Sequence, residues 1–140
     1  MLVVDASVAL KWFKSEPDSS LAEVAVAAED MIAPDLLLAE LSNACWAAAR
    51  RGLLTAAQVA DMPNALRLYV TVLHPLDPLA RRAIHIARTL DHPAYDCFYL
   101  ALAEREAVRL VTADRRFINR LAGTPWAGTA LDLASFAPRP

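Results

Sequence analysis

The sequence predicts an α/β fold: a three-layer α/β/α sandwich on a mainly parallel, five-stranded sheet. Three observations lead there. Five strand-like runs are each only three to five residues long. Between them lie longer segments that carry helix-start and helix-stop signals, and strands alternating with helices imply parallel βαβ connections. No repeat and no internal boundary interrupts this order in 140 residues, so residues 1–140 are expected to form one domain.

The first run, Leu2-Val3-Val4, ends at Asp5 and reads as a buried strand. Ser7–Lys14 reads as a helix with Val8, Leu10, Trp12 and Phe13 apolar, broken by Glu16-Pro17-Asp18. Ser20-Leu-Ala-Glu23 has the spacing of a capping box and opens a helix to about Glu29. Met31-Ile32-Ala33-Pro34 is a strand stopped by proline, and a long helix runs from Asp35 through Arg51 to Gly52. Thr55-Ala-Ala-Gln58 is a second capping box, with a helix to about Tyr69. Val70–Leu73 is strand-like. Asp77-Pro78 reads as an N-cap with proline in the first helical position, and its helix ends near Leu90. His92-Pro93 opens a helix to about Ala107. Arg109–Thr112 is a strand, Arg115–Leu121 a short helix stopped by Gly123, and Thr129–Leu133 a weak last strand.

Composition excludes several classes. Residues of the AVILMFWYC set make up 56% and charged residues 21%, which is enough apolar surface to rule out disorder. The longest run without a charged residue is Leu121–Leu131, broken by glycine and proline, against the roughly 20 apolar residues a membrane helix needs. Met1–Asp5 lacks the basic start of a signal peptide. Cys45 and Cys97 have neither disulfide-scaffold nor zinc-knuckle spacing, so a reducing cytoplasm is expected. The net charge is −2, but 12 of the 14 basic residues are arginine, a planar fork suited to phosphate. With four of the 16 acids withdrawn into a cation site, the remainder would carry +2. A mildly acidic total is therefore compatible with a phosphate-bearing substrate.

Four acids stand where acids are costly. Asp5 and Asp114 follow strands, Glu40 lies in Leu36-Leu-Leu-Ala-Glu-Leu41, and Asp96 in Ala94-Tyr-Asp-Cys-Phe-Tyr-Leu-Ala101. Glu40 shares a helix face with Leu37, Leu41 and Ala44, and Asp96 with Tyr99, Leu100 and Ala103. An ionised carboxylate away from water must be paired or bound to a metal. Each acid also has a plainer reading: Asp5 and Asp114 as N-caps, Glu40 and Asp96 as solvated helix residues. In a parallel sheet, ligand sites form at the carboxyl ends of strands, which places Asp5 and Thr112-Ala113-Asp114 on one edge. Two carboxylates about 4 Å apart repel by about 4 kcal/mol at an effective dielectric near 20, so four of them call for a cation. Oxygen ligands of this kind select Mg²⁺, with Mn²⁺ as a substitute.

These blocks, in this order, resemble the PIN-domain ribonucleases, most closely the VapC toxins of toxin–antitoxin pairs. The blocks are Val3–Phe13, Pro34–Asn43, Tyr95–Ala103 and Leu110–Phe117, spanning positions 3 to 117. The resemblance implies a Mg²⁺-dependent endoribonuclease with Asp5, Glu40, Asp96 and Asp114 as its acidic quartet. Asp5, Asp96 and Asp114 would be the metal ligands and Glu40 would hold a water of the ion. Ser7, Thr112 and Asn43 would support them. Arg115, Arg116 and Arg120 follow the fourth acid and are expected to meet RNA phosphate, Arg116 and Arg120 sharing a face at i, i+4. A basic stripe of Arg81, His85 and Arg88 reads as solvated surface, and His74, His85 and His92 show no ligand spacing. Trp12, Trp46, Tyr69 and Tyr99 read as core or partner contacts. One position departs: many relatives carry a further acid two residues after the one matching Asp114, where this chain has Arg116. That bears on whether protein ligands alone hold a second metal.

The resemblance also implies partners: a cognate antitoxin that masks the pocket, transfer or ribosomal RNA as substrate, a homodimer, and DNA only through the antitoxin. Two other readings compete. A haloacid-type phosphatase would also place an aspartate at the first strand end, but it uses Asp-x-Asp and the third residue here is Ser7. A receiver domain needs a late lysine, and none follows Lys14. A catalytically weak, PIN-like binding module is the remaining alternative, opposed by the intact quartet.

Overall fold

The computed structural model describes residues 1–137; the last three positions of the expected 1–140 unit lie outside it. Five strands form one sheet: β1 (Leu2–Val4), β2 (Met31–Pro34), β3 (Val70–His74), β4 (Arg109–Thr112) and β5 (Ala130–Asp132). Their spatial order is β3-β2-β1-β4-β5, and every pairing is parallel. The expected mainly parallel sheet is thus wholly parallel. Among the described residues, seven α-helices flank it: α1 (Ala6–Ala9), α2 (Ser19–Ala28), α3 (Leu36–Arg50), α4 (Ala56–Tyr69), α5 (Asp77–Leu90), α6 (Ala94–Glu106) and α7 (Arg115–Leu121). The connections from β1 to β2 to β3 run one way along the sheet, and those from β3 to β4 to β5 the other. Right-handed crossovers therefore set α1–α4 on one face and α5–α7 on the opposite face.

Burial of both faces explains the apolar strands. Val3, Val4, Ile32, Ala33, Leu110 and Val111 are all buried, as a sheet covered on both sides requires. α6 lies over β1, β2 and β4 and packs along α5. Its residues Tyr99 to Ala103 are buried all the way round, so it has no solvent stripe over that turn. Cys45 and Cys97 are buried free thiols. Among the described residues no helix is long and apolar enough to cross a membrane.

Some local expectations need correction. The Thr55 capping box forms as read: Thr55 Oγ1 accepts from the Gln58 N–H, and Gln58 Oε1 accepts from the Thr55 N–H. The Ser20–Glu23 box does not form. A turn at Glu16 starts α2 two residues earlier, with Asp18 at the cap: the Ser19 hydroxyl accepts from the Glu16 N–H, and Ser20 is already inside the helix. Asp77 is the first helical residue, and Leu76 takes the cap position without a side-chain bond. The helix after β1 is shorter than expected: α1 tightens into a 3-10 turn at Leu10–Trp12, and Phe13 ends it.

The topology fixes where a site can be. β1 and β4 are neighbours, and the chain leaves them toward opposite edges of the sheet. This reversal of strand order opens a crevice at their carboxyl ends. Asp5 follows β1 directly, and Asp114 lies two residues beyond β4.

Candidate active site

Asp5 caps α1: its Oδ1 accepts from the Val8 N–H at 3.1 Å and from the Ser7 hydroxyl at 2.6 Å. Both bonds fall on Oδ1, so Oδ2 carries neither. Ser7 Oγ in turn accepts the Ala113 N–H at 2.9 Å and stands 3.3 Å from Thr112 Oγ1. Ser7 has one proton and gives it to Asp5, while the Thr112 hydroxyl stands near both Ser7 Oγ and the Asp5 carboxylate. Thr112 Oγ1 accepts the Asp114 N–H at 3.1 Å. The two strand ends are thereby joined by a seam of hydroxyls. Asp114 closes the seam as the N-cap of α7, its Oδ1 accepting from the Arg116 and Phe117 N–H groups. For Asp5 and Asp114 the plainer capping reading therefore holds, and in each it occupies Oδ1.

The two helical acids are held by side chains from α6 and from the turn before it. Tyr99, buried to 1% exposure, donates its hydroxyl to Glu40 Oε2 at 2.5 Å and so ties α6 to α3. A buried phenol needs such a partner. Asp96 Oδ2 stands 2.6 Å from His92 Nε2. Glu40 and Asp96 are half-buried, Asp114 and Asn43 are exposed, and Asp5 is 8% exposed. Among the described residues, Asn43 makes no hydrogen bond to the acids.

Electrostatics bring three of the four acids together. Burial, opposed by the Ser7 and Thr112 hydroxyls and reinforced by the charge of Asp96, pushes the Asp5 carboxyl up to about 6. Glu40 is raised by burial and by Asp96, with the Tyr99 hydroxyl acting against the rise. Tyr99 is pushed well up by burial and then by Glu40, Asp5 and Asp96. Asp96 thus sits within electrostatic reach of both Asp5 and Glu40, while Asp114 joins them through the hydroxyl seam.

The donor set suits a hard divalent cation. Among the described residues no lysine or arginine pairs with Asp5, Glu40, Asp96 or Asp114. Hydroxyls, backbone N–H groups and an imidazole hold the carboxylates in place, and none of these carries a fixed positive charge that would cancel theirs. Among the same residues no three acids, histidines or cysteines close around a single ion by themselves. An ion that keeps several of its waters fits such an open set.

The expected RNA-facing arginines have different surroundings. Arg115 is 73% exposed on its side chain and pairs with Asp132 at 3.4 Å. Arg116 is exposed. Arg120 donates from Nε and Nη2 to the carbonyls of Leu90 and Asp91, so its guanidinium covers the carboxyl end of α5. Arg81, His85 and Arg88 are exposed on α5. Trp12 stacks on Tyr69 with centroids 5.0 Å apart, while Trp46 is 53% exposed. Spacing alone assigns no role to His92, although its partner stands at i+4. Tyr99 lies in the core as its sequence context implies, but its hydroxyl's partner is 59 positions away.

A parallel α/β sandwich with acids at its switch point that, among the described residues, no lysine or arginine pairs is an arrangement suited to a divalent cation. The chain is a member of the PIN domain family, whose model matches residues 2–123. Within that family it belongs with the VapC ribonucleases. It is 34% identical over 122 residues to Ribonuclease VapC3 of Pyrobaculum aerophilum, covering 85% of this chain and 93% of that one. It is 34% identical over 116 residues to Ribonuclease VapC9 of Mycobacterium tuberculosis, covering 83% and 87%. Among solved structures it is similar to PAE2754 of Pyrobaculum aerophilum (TM-score 0.66, 25% identity, 96% of this chain and 84% of that one). It shares its fold with a toxin–antitoxin complex chain from Klebsiella pneumoniae (TM-score 0.70, 15% identity, 95% and 98%).

Proposed function

We propose that this chain is a Mg²⁺-dependent endoribonuclease, the toxin of a toxin–antitoxin pair, working in the cytoplasm. The observation that carries the reading is the gathering of Asp5, Glu40 and Asp96 at the switch point of a PIN fold, with no lysine or arginine partner among the described residues. Asp5, Asp96 and Asp114 are the residues that hold the ion, and Mn²⁺ can substitute for Mg²⁺. When bound, the ion offsets phosphate charge and makes water a stronger nucleophile. Glu40 orients the attacking water, and burial keeps its carboxyl basic enough to accept a proton. Ser7 and Thr112 fix Asp5 so that the site needs little rearrangement on binding. Exposed Arg115 and Arg116 lie beside Asp114, where they meet RNA phosphates. Products carry a 5′-phosphate and a 3′-hydroxyl.

The partner is a cognate antitoxin whose arginine, placed among the acids, supplies the missing positive charge. The toxin acts as a homodimer on transfer or ribosomal RNA. The test is 5′-end mapping of transcripts after brief expression, with Asp5→Asn as the control. Discrete new 5′-phosphate ends are expected with the wild type, and at least about 100-fold fewer with the variant, as for loss of a group acting on transition-state charge. Equal cleavage by both would refute the reading. Cleavage by neither would leave a binding module.

A further inference from the structure

His92 stands at the joint between two helices. It follows Asp91, the left-handed C-cap of α5 at φ 49°, and precedes Pro93, the N-cap of α6. Its Nε2 lies 2.6 Å from Oδ2 of Asp96, one helical turn on. Its ring stacks on Phe117, with centroids 5.0 Å apart and planes 29° from parallel. Phe117 is buried, and its N–H is one of the two capped by Asp114. A single ring therefore connects the third acid, on α6, with the first turn of α7, which the fourth acid caps.

We propose that His92 is a positioning residue for the cation site: clamped by Phe117, it holds the Asp96 carboxylate through Oδ2 and leaves Oδ1 for the ion. The inference rests on the assignment of Asp96 as a metal ligand. Three observations favour this role over an incidental surface pair. The Asp96 side chain is 37% exposed, so without a partner it would sample several rotamers. Its partner is not itself free to rotate, being 21% exposed, stacked on a buried ring and followed by proline. And the donor is an imidazole, which can hold a carboxylate without the permanent charge of a guanidinium. Groups that orient ligating residues in this way contribute about 10- to 100-fold to metal affinity.

The test measures Mn²⁺ binding to the RNA-free protein by electron paramagnetic resonance, with kcat and KM for RNA taken at saturating Mn²⁺. The proteins are the full chain, His92→Ala, His92→Gln, Phe117→Leu and Asp96→Asn. His92→Ala is expected to weaken Mn²⁺ about 10- to 100-fold with an unchanged RNA KM. His92→Gln keeps an N–H donor of similar reach and is expected to stay within about threefold of the wild type. Phe117→Leu keeps the site's apolar packing and loses the ring, and at least about a threefold loss is expected. If His92→Ala does not fold, that variant decides. Wild-type affinity in both His92→Ala and Phe117→Leu would overturn the inference and leave the metal site standing. Asp96→Asn binding Mn²⁺ as well as the wild type, or no binding by the wild type, would overturn the metal reading along with it.

Discussion

Asp5 does two things with one carboxylate. Oδ1 caps α1 and takes the Ser7 hydroxyl, and the group as a whole is buried beside Asp96. Its folded pKa of about 6 lies above the ordinary 3.8, so folding favours the neutral form. The stability this group contributes is complete below about pH 4 and is lost as pH rises through about 6. By neutral pH the loss is on the order of 3 kcal/mol in the metal-free protein. Asp5→Asn removes the charge and keeps a capping residue. The variant is therefore expected to melt above the wild type at pH 7.5 without metal, and the gap should close toward pH 4.5. Mg²⁺ should raise the wild-type melting temperature and leave the variant's nearly unchanged. Thermal melts across that pH range, with and without Mg²⁺, check both statements; a gap that ignores pH would show that burial of the charge is not costly. The four acids are readable in the sequence because each interrupts an apolar run or stripe. His92 is not, because an i, i+4 histidine–aspartate spacing is common on its own, and what fixes the ring is Phe117, 25 positions on, which no local pattern reveals.

At the scale of elements, α6 is the part of the structure least able to accept change. Leu102 is fully buried on a helix that touches three strands. Leu102→Ala is expected to cost about 2–5 kcal/mol in denaturant unfolding. Thr55→Ala, which removes the cap of α4, should cost only about 1 kcal/mol and leave RNA cleavage intact. Equal costs would mean that α6 is not the core helix described here. The strands and the order of helices are legible because runs of three to five apolar residues and proline or glycine stops are local signals. The start of α2 is not. Its Ser-x-x-Glu spacing matches that of the box at Thr55, but the Ser19 hydroxyl takes the Glu16 N–H, the helix start moves upstream to Ser19, and Ser20 is no longer at the cap. Periodicity places Glu40 on the buried stripe of α3; the structure puts it at the margin of that stripe, half-buried beside buried Leu37 and Leu41.

Across the whole molecule, the three expected RNA-facing arginines divide in two: exposed Arg115 and Arg116 follow Asp114 directly on α7, while Arg120 is engaged by the end of α5. Replacing Arg115 and Arg116 by alanine should weaken RNA binding and lower the salt slope of log K by about one unit for each phosphate no longer neutralised. Arg120→Ala should lower the melting temperature instead, with the salt slope unchanged. Filter binding at several salt concentrations, together with melts, separates the two outcomes. If Arg120→Ala moves the salt slope and the double variant does not, the RNA path runs elsewhere. The wholly parallel sheet is foreseeable from strand–helix alternation, but strand order is not, because no local signal tells β4 to pair with β1.

That pairing has a consequence for the protein's synthesis. β1 lies beside β2 in space and about thirty positions from it in the chain, but its other neighbour, β4, begins at Arg109. Leu2, Val3 and Val4 wait for Arg109, Leu110 and Val111, and the hydroxyl seam waits for Thr112 and Asp114. A nascent chain still on the ribosome, with its last third inside the exit tunnel, carries Asp5 and Glu40 on an unfinished sheet edge. The hydroxyl seam is thus assembled late, and a fragment that stops short of β4 lacks both Thr112 and Asp114.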